Sequence, residues 1–204
     1  TVSADVGFNV TFPVGQQGID QPTRVTSAGD VNGDGLNDLL VSSQTYPAHR
    51  GSSYVVFGKK DNTDINITSL TSGSSTNGFL IKSPDELTWN GYAISSAGDV
   101  NGDGLADVIV SDAIGNSNTG RSFVVFGKAN GSVIELSAFT NGASSQGFMI
   151  QGISAGDLSG SSVSNAGDVN GDGLADLLVG APSGTPTGRT DAGQSFVVFG
   201  KANG

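Results

Sequence analysis

The chain has 204 residues, 32 of them glycine, no cysteine, and a formal charge of −10 at pH 7. Nine Lys and Arg residues are too few for a phosphate-binding surface, which excludes nucleic acid as a partner, and the lack of cysteine excludes disulfides, a thiolate nucleophile and cysteine-type zinc sites. No apolar run reaches 18 residues, so we expect no membrane insertion. Short apolar runs between Gly, Ser, Asn and Asp clusters predict one all-β module over residues 1–204.

One phrase occurs three times along the chain. It reads "SAGDVNGDGLNDLLVS" from Ser27, "SAGDVNGDGLADVIVS" from Ser96 and "NAGDVNGDGLADLLVG" from Asn165, with 69 residues between successive copies. "VVFGK" follows each copy, and four extra residues precede it in the last unit. A period this long predicts a stacked or radial repeat. We place the units at approximately residues 13–82, 83–151 and 152–204.

Each unit is predicted to contain four short strands. In the second unit these are Gly91–Ala97, "DVIVS" from Asp107, "RSFVVFG" from Arg121 and "GFMI" from Gly147, with a short helical turn in "IELSAF" (134–139). Four strands per unit indicate the blade of a β-propeller, so three four-stranded blades are expected in this chain. A β-helix is the alternative, but its repeats are usually much shorter.

The acidic loop between the first two strands of each unit has the composition of a calcium site. Counting from its first Asp, side-chain oxygens recur at positions 1, 3, 5 and 9, the carbonyl at position 7 can face inward, and a glycine at position 6 permits a sharp turn. Oxygen ligands without His or Cys favour calcium over zinc or copper, and a flexible cage favours it over magnesium. The predicted ligands of three Ca²⁺ ions are Asp30, Asn32, Asp34, Leu36 and Asp38; Asp99, Asn101, Asp103, Leu105 and Asp107; and Asp168, Asn170, Asp172, Leu174 and Asp176.

Two alternatives fit these loops less well. The loop could be a turn with solvated Asp residues, but two carboxylates about 4 Å apart repel by roughly 4 kcal/mol at an effective dielectric constant near 20, and the arrangement recurs three times. An EF-hand needs a Glu at position 12, where this chain has Val41, Val110 and Val179. Calcium in a different type of loop is therefore the prediction, with an affinity of about 10⁻⁴ to 10⁻³ M, suited to extracellular calcium.

The third unit resembles a known repeat. "DVNGDGLADLLVGAP" followed by "GQSFVVFG" is similar to the FG-GAP repeat, the blade of integrin α-subunit propellers, and the resemblance covers nearly the whole chain. The first two units depart from it with "VSSQ" and "VSDA" in place of "VGAP", and the first has Pro22 where the others have Gly91 and Gly160. The resemblance implies a calcium-stabilised propeller, often in a secreted or cell-surface protein that binds another protein or a glycan.

Ligand contacts are expected on the face opposite the acidic loops, where loops tolerate variation and carry function. The candidate residues are Tyr46, His49, Arg50, Trp89 and Arg189. Tyr46 and Trp89 could instead pack between blades. With a single His and no Ser, His and Asp set, the chain is not expected to be an enzyme. An adhesion or ligand-binding module is the main hypothesis; a spacer or scaffold, or a non-catalytic domain of a secreted enzyme, are the alternatives.

The first residues raise the question of how three blades become stable, since propellers usually need about 4 to 8. "GFNVTF" (7–12) matches the fourth strand of the other units, whereas the last unit stops at "VVFGKANG". One expectation is a homodimer by strand exchange, a six-bladed ring in which each chain donates residues 7–12 to its partner. The alternative is that the sequence is a piece of a longer array.

Overall fold

A computed structural model of the protein describes residues 7–12, 21–45, 50–84, 90–139, 144–186, 189 and 192–202. It is all-β, as expected. The strands are β1 (Val10–Thr11), β2 (Gln21–Gly29), β3 (Asp38–Thr45), β4 (Arg50–Val56), β5 (Ile65–Asn66), β6 (Gly78–Lys82), β7 (Ile94–Gly98), β8 (Asp107–Asp112), β9 (Arg121–Val125), β10 (Ile134–Glu135), β11 (Gly147–Gln151), β12 (Ser162–Gly167), β13 (Asp176–Ala181) and β14 (Gln194–Val198).

Helical structure is limited to short turns. Two 3₁₀ helices span Ile67–Ser72 and Leu136–Ala138, and a helical turn spans Gly115–Asn118. The second 3₁₀ helix confirms the turn expected in "IELSAF". None of the helices in the described segments has the length and hydropathy needed to span a bilayer.

The larger sheets follow one another along the chain. The first has the order β10-β6-β4-β3-β2, the second β11-β9-β8-β7 and the third β12-β13-β14. Neighbouring strands of a unit are antiparallel. The second sheet contains the four strands predicted from the sequence. Pairing among the described strands does not close the series into a ring, and the unit boundaries and the number of blades stay predictions.

A bulge positions the acidic loop at the end of each first strand. The antiparallel register shifts between Ser27 and Gly29, and again at the corresponding places in β7 and β12. Gly29 has φ +83°, a left-handed conformation that glycine adopts without steric penalty. Because a bulge bends the strand and increases its twist, the chain turns there into the acidic loop.

A parallel pairing links each of the first two units to the strand before it. Ile134 of β10 lies opposite Ile81 of β6, and Ile65 of β5 lies opposite Val10 of β1. Counted from the glycine of "GFLI" and of "GFNV", Ile81 and Val10 occupy the same place. Residues 7–12 therefore stand towards the first unit as β6 stands towards the second.

The core lies between the faces of successive sheets. One buried cluster joins the first sheet to the second through residues such as Leu40, Val55 and Phe123, and another joins the second to the third through residues such as Ile109 and Leu177. A further cluster covers part of the other face of the first sheet. It contains Val41, Tyr54, Val56, Ile65, Ile67 and Leu70, with Phe8, Val10 and Phe12 of the first segment packed on it.

Candidate functional site: the three acidic loops

The three acidic loops, residues 30–38, 99–107 and 168–176, are called loops 1, 2 and 3. Each connects the first two strands of its sheet. In loop 2, Oδ1 of Asp99 accepts hydrogen bonds from the amides of Gly102 (2.7 Å) and Asp103 (3.1 Å), and Oδ2 accepts one from Gly104 (2.9 Å). The carboxylate at position 1 thus folds the loop around itself.

Positions 3 and 5 are joined to each other and to position 7. Oδ1 of Asn101 accepts from the Asp103 amide at 2.9 Å, and Nδ2 of Asn101 donates to Oδ2 of Asp103 at 2.9 Å. Oδ1 of Asp103 accepts from the Leu105 amide at 2.8 Å. The same contacts recur in loops 1 and 3, so the local sequence determines the loop conformation.

The carboxylate at position 9 ties the loop to the rest of the sheet. Asp107 is the first residue of β8 and is fully buried. Its Oδ2 accepts from the Val100 amide at 2.9 Å, and its Oδ1 accepts from the amide of Gly127, just after β9, at 2.8 Å. Asp38 and Asp176 make the equivalent pairs of contacts at 2.7–2.9 Å.

Two glycines and the leucine of each loop have separate structural roles. The glycine at position 6 has positive φ, as predicted, with +86° at Gly104. Sequence reasoning missed that the glycine at position 4 does too, with +78° at Gly102. The Leu105 side chain lies against Gly33 of loop 1, and Leu174 lies against Gly102. The leucines thus pack one loop onto the preceding one, and their carbonyls as calcium ligands stay a prediction.

Burial raises the pKa of the position-9 carboxylates of loops 1 and 2. Burial raises the pKa of Asp107 to about 7, and Asp103 and Asp99 add to this rise, while the amide bonds from Gly127 and Val100 oppose it. The pKa of Asp38 is raised for the same reasons. Each of these carboxylates therefore lies beside further negative charge in a poorly solvated place.

Asp176 behaves in the opposite way. Burial again raises its pKa, but hydrogen bonds from the amides of Gly200, Val169 and Asn170 together outweigh it, so the pKa is lowered overall. Asp176 itself is covered, but the loop from Asp168 to Gly173 is exposed around it. Solvent around loop 3 therefore leaves this carboxylate easier to ionise than Asp107.

The chemistry of the loops suits a hard cation. In the described segments, no three acidic or histidine side chains converge as a metal cluster, and the loop carboxylates are hydrogen-bonded to main-chain amides. The side-chain donors are all oxygen, however, and Asp103 and Asp107 each accept two hydrogen bonds, although a carboxylate has about four acceptor positions. Each loop carries three Asp and no Lys or Arg, so nothing within it neutralises the charge.

Successive loops are also joined through the main chain. The Ala106 amide donates to the carbonyl of Asp30, and the Ala175 amide donates to that of Asp99, both at 2.9 Å. The Lys128 amide likewise donates to the carbonyl of Val31 at 2.8 Å, and that of Lys201 to Val100. The backbone of one loop is therefore bonded directly to the residue just before the buried carboxylate of the next.

The predicted ligand contacts stay a prediction, because most of them lie outside the described residues. Tyr46, His49 and Trp89 lie outside the described residues, and Arg50 begins β4 without a described side chain. Arg189 is exposed, and its amide donates to the carbonyl of Pro186 at 2.9 Å.

Two features of the second sheet were missed from the sequence. Asn116, Ser117 and Asn118 have φ of +53° to +60°, which is uncommon outside glycine, and the Asn118 carbonyl accepts from the amides of Gly156 and Leu158. Asp112 is fully buried, and Nε and Nη2 of Arg121 both lie 3.2 Å from its Oδ2. The sequence pattern predicts neither feature, because both depend on contacts between different loops and strands.

These observations define a class of protein, an all-β repeat protein whose successive antiparallel sheets each carry an acidic hairpin loop. The family model of the FG-GAP repeat matches residues 23–56, 90–125 and 159–198. The chain therefore belongs to the FG-GAP repeat family, and each matched segment contains one acidic loop.

The chain is also similar to part of a longer curated relative. The chain is 29% identical over 198 residues to the phosphatidylinositol-glycan-specific phospholipase D of Dictyostelium discoideum, which covers 88% of the chain and 20% of the relative. The chain thus spans about a fifth of that relative's length.

Proposed function

We propose that the protein is a calcium-stabilised, propeller-type module that binds a protein or glycan ligand at the cell surface or outside the cell. The observation that carries the calcium proposal is the acidic loop itself, repeated three times with the same hydrogen bonds. In loops 1 and 2 a buried carboxylate lies beside two others, and no cationic side chain occurs within the loop. A divalent cation is the group that this charge arrangement lacks.

In each loop, the cation would be held by the side-chain oxygens of positions 1, 3, 5 and 9 and the carbonyl of position 7. When bound, it supplies positive charge that offsets the repulsion between the carboxylates. The position-9 carboxylate also has a role of its own in the fold. Asp107 already fixes the start of β8 to Val100 and to the end of β9, so its ionised form holds three parts of one sheet together.

The arrangement of sheets supports the propeller part of the proposal. Three units pack face to face through apolar clusters, and each is linked to the next by the same two main-chain bonds. In this arrangement the sheets are the blades, and all acidic loops lie on one face because each connects the first two strands of its sheet.

The opposite face is the proposed ligand surface. The segment Asn116–Asn118 lies there, and three consecutive left-handed residues are a strained conformation of the kind that clusters at ligand sites. The loop around Leu158 supports it through hydrogen bonds to Asn118, and Arg189 is an exposed cation in the corresponding loop of the third unit. We propose no catalytic role for these residues.

A second candidate is a non-catalytic domain of a larger secreted enzyme. The similarity to a fifth of a phosphatidylinositol-glycan-specific phospholipase D favours it. In that case the module would position the enzyme on its substrate rather than act in adhesion. A scaffold without a ligand is the remaining alternative.

Isothermal titration calorimetry on the chelator-treated protein tests the calcium proposal. Three sites per chain are expected for CaCl₂, with Kd of about 10⁻⁴ to 10⁻³ M, and weaker binding is expected for MgCl₂. Asp103→Asn should remove one site, whereas Glu135→Gln, an exposed carboxylate outside the loops, should leave three. Absence of calcium binding by the wild type would reject the proposal.

The ligand proposal needs its own experiment. Protein and glycan arrays probed with and without calcium should give calcium-dependent binding that Arg189→Ala weakens and Lys82→Ala, an exposed cation paired with Glu135, leaves unchanged. An array without any bound ligand in either condition, for a protein that does bind calcium, would favour the scaffold.

A further inference from the structure

The turns that follow "VVFG" in the first two units are built alike but differ in charge. Each begins with a lysine, Lys59 or Lys128, and the residue two positions later is Asp61 in the first unit and Asn130 in the second. Lys59 Nζ lies 2.9 Å from Oδ1 of Asp61, so the first turn contains an ion pair. Among the described residues, no carboxylate pairs with Lys128. The second unit therefore has the lysine of this pair but an amide in place of its anion.

Lys128 is held close to that amide. It is half-buried, and its Nζ lies 4.2 Å from the ring centroid of Phe79. The Nζ donates to the carbonyl of Ser132, to its Oγ at 2.7 Å and to Oδ1 of Asn130 at 3.4 Å. Burial lowers the pKa of Lys128 to about 8. The ammonium is thus partly removed from water without a carboxylate to compensate its charge.

The side-chain oxygen of Asn130 is surrounded by donors. Besides Lys128 Nζ, the amide of Ser132 donates to Oδ1 at 3.1 Å and the Oγ of Ser132 donates to it at 2.5 Å. Three donors on a carbonyl oxygen stabilise the negative charge that develops there when a nucleophile attacks the carbonyl carbon. Asn130 is exposed and lines a surface groove with Ser74 and Thr76. Its Cγ is therefore an activated electrophile at a place that water reaches.

The next residue supplies the nucleophile. A main-chain amide nitrogen can attack the side-chain Cγ of the asparagine before it, which is one reason why asparagine is thermolabile. The attack is easiest before glycine, which has no side chain to obstruct the approach. Gly131 follows Asn130, and a Cβ added to it would lie 2.0 Å from the carbonyl oxygen of Ser75. The packing of the turn therefore requires the residue that makes Asn130 most reactive.

The Asn–Gly pairs elsewhere in the described residues are held more firmly. In the three acidic loops, the glycine amide donates to the carboxylate at position 1 at 2.6–2.8 Å, so its N–H is engaged. Asn90 is fully buried, and the amide of Gly91 donates to a carbonyl at 2.9 Å. Gly78, after Asn77, is paired within the ladder of β6 and β4. No carboxylate in the described part of the chain accepts from the Gly131 amide, so Asn130 is the reactive pair among these.

We propose that Asn130 is a site of spontaneous deamidation, and that the new carboxylate pairs with Lys128 as in the first unit. The Gly131 nitrogen forms a bond to Cγ of Asn130, the proton of that amide passes through solvent to Nδ2, and the Cγ–Nδ2 bond breaks to release ammonia. Water then opens the resulting succinimide to an aspartyl or isoaspartyl residue, so water is the one co-reactant. This modification goes beyond the proposed calcium and ligand binding and depends on neither.

Incubation of the 204-residue chain at physiological pH and temperature, followed by tandem mass spectrometry of its peptides, tests the site. Chelator is present, so that bound calcium does not protect the acidic loops. Conversion is expected to be at least about tenfold faster at Asn130 than at Asn101 of the same chain. Ser132→Ala and Lys128→Gln each remove a donor to Oδ1 and should slow it several-fold. Lys59→Gln, the equivalent change in the first unit, is the matched control and should leave the rate unchanged.

Asn130→Asp tests the pairing, because it places the carboxylate beside Lys128 before any incubation. Its Tm is expected to lie about 1–4 °C above that of the wild type, and Lys128→Gln in the same chain should abolish the gain. Conversion at Asn130 that is no faster than at Asn101, or that both donor variants leave unchanged, would overturn the assignment of the site. A Tm that does not rise, or that rises equally without the lysine, would overturn the pairing.

Discussion

Loops 2 and 3 have the same hydrogen bonds but different electrostatics. Equivalent bonds agree closely in length, from the amides on Asp99 and Asp168 to those on Asp107 and Asp176. Nevertheless the pKa of Asp107 is raised to about 7, and that of Asp176 is lowered. The loop conformation is therefore set by its own short stretch of sequence, whereas the ionisation of its buried carboxylate depends on the sheets packed around it.

Removing calcium is expected to have the largest effect, both on the melting temperature of the whole chain and on the difference between loops 2 and 3. With each of three sites contributing about 1.4–2.7 kcal/mol at 10–100 times Kd, and about 2–4 °C per kcal/mol for a chain of this size, we expect chelation to lower Tm by about 10–30 °C. Differential scanning calorimetry measures this. Hydrogen exchange should rise more in loop 2 than in loop 3, because loop 2 has the more buried charge. Equal Tm with and without chelator would contradict the expectation.

Asp112→Ala should separate stability from calcium binding within the second unit. It leaves the partly buried Arg121 without its carboxylate, and breaking such a pair costs about 3 kcal/mol. Calcium stoichiometry should stay at three, whereas Asp103→Ala should reduce it to two. Chemical denaturation and calorimetry give the two readouts. The third unit has Ala181 in place of Asp112, so it provides no equivalent pair.

Asp107→Asn and Asp176→Asn should change order when calcium is removed. In chelator, Asp107→Asn removes a charge that the fold disfavours, whereas Asp176→Asn removes one that the fold favours, so the second variant should be the less stable of the two. In calcium, both variants lack one calcium ligand, so Asp107→Asn should no longer be the more stable of the two. Urea denaturation in both conditions measures this, and the same order in both would contradict it.

The smallest expected effect is a pH dependence of the calcium-free protein. Because the folded pKa of Asp107 lies near 7, above an unfolded value of about 3.9, its stabilising contribution is present at acid pH and lost as the pH rises through 7. Between about pH 8 and pH 5, Tm should therefore increase by a few degrees on acidification.

The chain has 19 acidic residues, so variants at Asp107 and Asp176 are needed to separate the contribution of Asp107 to the pH dependence from that of the other carboxylates. The increase should shrink in Asp107→Asn and persist in Asp176→Asn, whose carboxylate has a lowered pKa and contributes stability that is lost only as the pH falls further. Identical pH profiles for the two variants would show that burial does not distinguish the loops.

Local sequence was sufficient for the strands, the loop hairpins and the repeat. Hydrophobic alternation and the glycine at position 6 depend on near neighbours, and the structure has the second unit's four strands where they were predicted. The amide contacts of Asp107 were not foreseen, because they join residues 7 and 20 positions apart. The Asp112–Arg121 pair and the left-handed turn at Asn116 likewise depend on how separate segments meet.

The parallel pairing of β10 with β6 has a consequence for synthesis on the ribosome. The first sheet has all its own strands once residue 82 has emerged, but the face that packs on the second sheet is covered only when residues up to about 139 arrive, including Phe123 and Phe139. At about 5–20 residues per second, that face waits about 3–11 seconds. A nascent chain of this protein therefore exposes an apolar surface for long enough for chaperones to bind, and each new unit covers one such surface while exposing the next.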